Sequence, residues 1–145
     1  MFRISRKLDY GIKLMVALAK EFDGTPIPTA KLSKTLEIPL PFLHQIGHSL
    51  MQAGLIKATP GPRGGIRLNK APDEISVLDV TESLEGKICI NSCLSENSDY
   101  SDMGDCTSRT MWAFLQDKIV DFLSGINFGD LCQNELIISL IEEGN

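Results

Sequence analysis

No stretch of about 18 uncharged apolar residues occurs in this chain of 145 residues, so nothing in it reads as a membrane span. The N-terminus carries Arg3, Arg6 and Lys7, as a secretory leader does. Asp9 and Lys13 then break the apolar stretch, and no small-residue cleavage site follows. A cytoplasmic protein with no membrane partner is the expectation. Histidine is scarce, with only His44 and His48. There is no phosphate-cradling glycine loop and no nucleophile–base constellation, so an enzyme lacks its usual parts and no catalytic residue is assigned. What is present is ordinary for a globular protein: 43% hydrophobic and 23% charged residues, in a length that suits one compact domain or a small domain with an oligomerisation element.

The net charge of −5 hides a strong asymmetry. Residues 1–70 hold 11 Lys/Arg against 4 Asp/Glu, whereas residues 71–145 hold 3 against 15. A uniformly solvated surface rarely divides this way. The split points to a basic half that meets a polyanion and an acidic half with another task, although segregated charge also serves solubility.

The basic half has the periodicity of three helices and a hairpin. Leu8, Ile12, Met15, Val16, Leu18, Ala19 and Phe22 make an apolar stripe over residues 6–22, and Asp23-Gly24-Thr25-Pro26 stops it. Thr29 is the expected N-cap of a short second helix with Leu32 and Leu36 inward. A tight turn at Glu37-Ile38-Pro39 leads to a third helix through Leu43, Ile46, Leu50 and Met51, ended by Gly54. Residues 55–59, a tip at 60–65 and residues 66–70 form a hairpin with a basic edge. Two helices joined by a tight turn and followed by such a hairpin are a winged helix-turn-helix, whose second helix enters the DNA major groove.

On that reading the groove-facing side of the third helix includes Pro41, Phe42, His44, Gln45 and His48, with Gln45 suited to an adenine edge. Thr29, Arg3, Arg6, Lys7, Lys57, Gly64, Arg67 and Lys70 are candidates for the rest of the DNA-binding surface, the cations as phosphate contacts that position without reading sequence. Arg63, at the wing tip, suits either a phosphate or the minor groove. A merely solvated polar face is the plainer alternative for any one of them.

In the acidic half, Ser76-Val77-Leu78-Asp79 opens a short helix that ends near Gly86. A polar segment over residues 87–105 follows, then a helix from Thr107 through Leu123 whose apolar face suits a dimer seam or its own domain, and an amphipathic helix over residues 133–143. Cys89, Cys93 and Cys106 lie in or beside the polar segment. A cytosolic disulfide is disfavoured. A metal or cluster site, a thiol switch and coincidence remain open, and three sulfurs leave a tetrahedral metal one ligand short. Cys132 stands apart as a half-buried bystander.

The fold class is thus mainly α with a small β-hairpin wing: a winged helix-turn-helix domain over 1–72, and a cysteine loop with dimerisation helices over 73–145. Several segments are familiar in their order: Arg3-Ile4-Ser5 leading to Leu8-Asp9-Tyr10-Gly11, the wing Gly61-Pro62-Arg63-Gly64-Gly65-Ile66-Arg67-Leu68, Ala71-Pro72 with Ile75-Ser76-Val77, and Cys106-Thr107 to Trp112 leading to Asn127-Phe128-Gly129-Asp130-Leu131. With them the chain resembles, over essentially its whole length, the iron–sulfur-cluster-sensing winged-helix transcriptional regulators of the IscR/NsrR type.

The resemblance implies a homodimer on a palindromic operator in double-stranded DNA. It also implies a cluster, four-iron favoured over two-iron, held by Cys89, Cys93 and Cys106. Arg109 stands where some members have a ligand histidine, whereas Asp9 matches the aspartate that others donate across the dimer. Its other reading is a charge placed to suit a helix N-terminus. The spacing C-x3-C-x12-C departs from the family's usual pattern, and Pro60 replaces a common wing arginine. Nitric oxide, oxygen or iron loss would be the signal and repression the usual outcome. The alternative is a cluster-free regulator of the same fold that senses through cysteine oxidation or a partner protein.

Overall fold

The computed structural model describes residues 3–91, 94 and 107–133. Helix α1 (Arg6–Lys20) starts where the Ser5 hydroxyl accepts a hydrogen bond from the Leu8 amide, and Asp9 sets a negative charge in the first turn. Its apolar stripe buries Leu14, Met15, Leu18 and Ala19. The helix stops short of the expected Phe22 because the Asp23 carboxylate accepts from the Thr25 amide and turns the chain, which leaves Phe22 exposed. That hydrogen bond holds the Asp23 carboxyl below its ordinary pKa.

Helix α2 (Thr29–Leu36) corrects the expected cap. Pro28 occupies the cap position and Thr29 is the first helical residue, with no side-chain cap bond. Glu37 then adopts the left-handed conformation at φ 56°, and its amide donates to the Ser33 carbonyl. This turn buries Ile38 and starts α3 (Leu40–Gln52), with Pro39 as cap and Pro41 in the first turn, where a missing N–H costs nothing.

The wing is the antiparallel pair β1 (Ile56–Thr59) and β2 (Gly65–Leu68), in register from Ile56↔Leu68 to Thr59↔Gly65. Ile27 adds a bridge to Ile66, with both hydrogen bonds at 2.9 Å, and so roots the hairpin on the chain between α1 and α2.

A 3₁₀ turn (Pro72–Glu74) leads to α4 (Val77–Glu85), opened by a reciprocal capping box between Ser76 and Asp79, both bonds 3.0 Å. Among the described elements helix α5 (Thr107–Ser124) packs chiefly against α4, and none of its residues is buried. Helix α6 (Phe128–Cys132), capped by Asn127, is absent from the sequence-based expectation. The Val77 amide donates to the Ile126 carbonyl and the Phe128 amide to Ile75, and these bonds seat α6 beside the 3₁₀ turn and α1. Phe128 is fully buried there. Ile75, Val80, Leu84 and Phe128 belong to the same hydrophobic cluster as Leu14, Ile46 and Ile66. Among the described residues no helix is long and apolar enough to cross a membrane.

Candidate DNA-reading face and cysteine site

Helix α3 has two faces. Leu43, Ile46, Gly47 and Leu50 are buried. Pro41, His44, Gln45 and His48 are exposed on the other side, as a reading helix requires. Phe42 departs from the expectation. It is half-buried, packed on the core and set edge-on to Tyr10 of α1, with ring centroids 5.5 Å apart. Its ring adds to the α1–α3 contact through an edge-to-face pair and keeps part of its surface exposed.

Thr29, His44 and Gly64 come together around an open cleft of about 440 Å³ between the start of α2, helix α3 and the wing. Met51, expected with the apolar run of α3, is instead exposed and also lines it. Gly64 itself is buried, and a Cβ on it would lie 2.0 Å from the Thr59 carbonyl oxygen. Its place in the wing is therefore one of close backbone approach. Arg63 is exposed at the tip, while Lys57 and Arg67 face each other across the ladder. Two like charges directly opposite weaken a hairpin, and an anion lying over both relieves that repulsion. Arg3, Arg6 and Lys70 are exposed and Lys7 is half-exposed, so each has solvent access.

The cysteine site begins just beyond α4. Cys89 is a free, exposed thiol whose S–H donates to the Asn91 carbonyl at 3.1 Å. The Ile90 amide donates to Gln116 Oε1 at 3.1 Å, which fastens the start of the loop to α5. Cys89 lines a cleft of about 390 Å³ together with Arg3, Ser5, Leu8, Glu85 and Ile119. Across it the Ser5 hydroxyl donates to Glu85 Oε1, joining the cap of α1 to the end of α4. Neither Ser5 nor Glu85 was singled out from sequence, because no local pattern signals a contact between residues 80 positions apart.

Cys93 and Cys106 lie outside the described residues, and among the described residues no three metal-ligating side chains converge. Asp9 is exposed and pairs with Lys13 one turn along α1 at 3.0 Å; it is not among the residues lining the Cys89 cleft of its own chain. Cys132 is half-buried and donates to the Gly129 carbonyl at 3.2 Å. Arg109 is half-buried in the first turn of α5, and a guanidinium is no metal ligand.

Comparison with known proteins agrees with this architecture. The Rrf2 family profile, described as iron-dependent transcriptional regulator, matches residues 4–134. The HTH-type transcriptional regulator IscR of Pectobacterium atrosepticum is 30% identical over 141 residues, spanning 97% of this chain and 85% of that protein. Among solved structures, CymR, the global cysteine regulator of B. subtilis, superposes with a TM-score of 0.76 at 28% identity, covering 92% of this chain and 98% of CymR. IscR of T. potens superposes with a TM-score of 0.75 at 25% identity, over 92% of this chain and 88% of its own. The chain belongs to the Rrf2 family: it is a winged-helix, DNA-binding transcriptional regulator and not an enzyme.

Proposed function

We propose that this regulator acts in the cytoplasm as a homodimer on a palindromic operator, and that an iron–sulfur cluster held by Cys89, Cys93 and Cys106 sets its affinity for DNA. The proposed division of labour gives residues 1–72 to DNA and residues 73–145 to the cluster and the dimer seam. Asp9 of the partner subunit is the proposed fourth ligand. Such a cluster supplies a centre that nitric oxide or oxygen attacks readily, with a hard carboxylate at the most exchangeable corner.

One observation carries the reading. The exposed Cys89 thiol shares its cleft with Arg3, Ser5 and Leu8 at the start of α1, and α1 packs on the reading helix α3. A change at the cysteine loop therefore lies one helix away from the DNA-reading face, and couplings between sites of this kind amount to about 1–3 kcal/mol. Of the proposed donors, Cys89 offers a free and reachable thiol, Cys93 and Cys106 lie outside the described residues, and the Asp9–Lys13 pair that a ligand role displaces is a surface pair worth about 0.3–0.5 kcal/mol.

Operator binding measured by fluorescence anisotropy tests this, using an operator selected from random duplexes with anaerobic protein. Cluster loss should change affinity at least tenfold in the wild type, and Cys89→Ala should abolish the change while keeping the apo-protein's affinity. An unchanged response in Cys89→Ala contradicts the proposal.

A second reading is a thiol switch without a cluster. It is favoured by the same exposed thiol and by Arg109 standing where a ligand imidazole is otherwise found. It predicts colourless anaerobic protein whose DNA affinity follows thiol oxidation.

A further inference from the structure

Among the described residues, no Lys, Arg, Asp or Glu lines the open cleft of about 440 Å³ between the start of α2, helix α3 and the wing. The hairpin's ladder accounts for this. Successive strand residues face opposite sides, so the Ala58–Ile66 pair turns to the cleft and the Lys57–Arg67 pair turns away. What remains is an apolar wall of Met51, Ala58, Pro62 and Ile66, with Thr29 and Thr59 beside it. Met51 is the part of that wall that α3 supplies. It stands two turns after His44 on the same helical face, about 10 Å along the axis, and is 37% exposed.

A winged helix-turn-helix sets its reading helix in a major groove. With Arg63 of the wing tip in the neighbouring minor groove, one sugar–phosphate strand separates the two. That strand has to pass between α3 and the wing, where the cleft opens. A strand presents charged phosphates and largely apolar deoxyribose rings in alternation. The cleft holds no Lys or Arg for a phosphate, whereas its apolar wall matches a sugar, and a flexible thioether adapts to the shape of the ring. The threonine hydroxyls suit the flanking phosphate oxygens.

We propose that Met51 is a DNA-positioning residue: it packs on one deoxyribose of the strand in the cleft and selects deoxyribose over ribose there. The contact carries neither base information nor charge. A ribose brings a 2′-hydroxyl against the apolar wall, where it loses water and gains no partner.

A ribonucleotide scan of the selected operator, one sugar exchanged at a time, tests this by fluorescence anisotropy. In the wild type one position for each bound subunit should weaken binding about tenfold. In Met51→Ala that penalty should fall to about twofold, because the shorter side chain leaves the hydroxyl in water. A penalty that persists in full comes from sugar pucker and overturns the proposal, as does a scan in which no position stands out. On the all-deoxy operator Met51→Ala should bind about tenfold more weakly with an unchanged salt slope, since no cation is lost, and Met51→Leu should match the wild type. Wild-type affinity in Met51→Ala overturns the proposal. Equal unfolding midpoints in urea are expected for a side chain outside the core, and a fall in midpoint large enough to explain the lost affinity overturns it too.

Discussion

A methyl group added to Gly65 would lie 2.1 Å from the Ile27 carbonyl oxygen, and one added to Gly11 would lie 2.2 Å from Leu84 Cδ1. The distances are alike and the consequences differ. Backbone cannot yield at Ile27 without breaking the bridge that roots the wing, whereas the end of a leucine can rotate away. Gly65→Ala should therefore cost about 2–3 kcal/mol in urea denaturation, and Gly11→Ala about 1 kcal/mol. Equal losses would contradict this account of the wing root. On the reading face, Gln45→Ala should cost about 1–3 kcal/mol of operator affinity and relax base preference at one position. Lys57→Ala should instead weaken all sequences alike and lower the salt slope by about 1, as titrations at several salt concentrations would reveal. Residue types on α3 were legible from periodicity alone, which set Leu43, Ile46 and Leu50 inward and His44, Gln45 and His48 outward. Phe42 was not, because its position depends on Tyr10, a partner on another helix.

The elements differ in how their ends are held. Helix α4 rests on both bonds of the Ser76–Asp79 box, whereas α2 begins after Pro28 with no side-chain bond from Thr29. Ser76→Ala should lower stability by about 1 kcal/mol, and Thr29→Ala should remove no cap energy, a contrast measurable as unfolding midpoints in urea. An equal loss at Thr29 would restore it as a cap. The order of α1, α2, α3, β1 and β2 and the start of α4 were readable because each carries its own periodicity and stop signal. Helix α6 escaped notice for a physical reason. Five residues containing Gly129-Asp130 look like a turn, and what fixes them is the burial of Phe128 against Ile75 and α1, which only the tertiary fold supplies.

At the scale of the whole molecule, α5 is the element whose apolar side chains the described residues leave most exposed. Phe114 is 64% exposed, Met111 53% and Phe122 52%, and no residue of this helix is buried. Apolar surface of that extent on an 18-residue helix suits the proposed dimer seam. Phe114→Glu combined with Phe122→Glu should give a folded monomer in sedimentation velocity, with operator affinity at least tenfold lower; a dimer that persists would place the seam elsewhere. The charge split that first pointed to DNA belongs to this scale too, and composition alone revealed it. The shared core did not show in composition, since Ile75, Val80, Leu84 and Phe128 join the basic half's cluster across the change of sign.

The sensing proposal rests on Cys89, Cys93 and Cys106 acting together on one iron–sulfur group, and an absorption spectrum with iron and sulfide analysis on anaerobically purified protein tests it most directly. The account predicts a brown protein with charge-transfer bands and matched iron and acid-labile sulfide, all lost in Cys89→Ala. A colourless wild-type protein that also resists anaerobic reconstitution would contradict it.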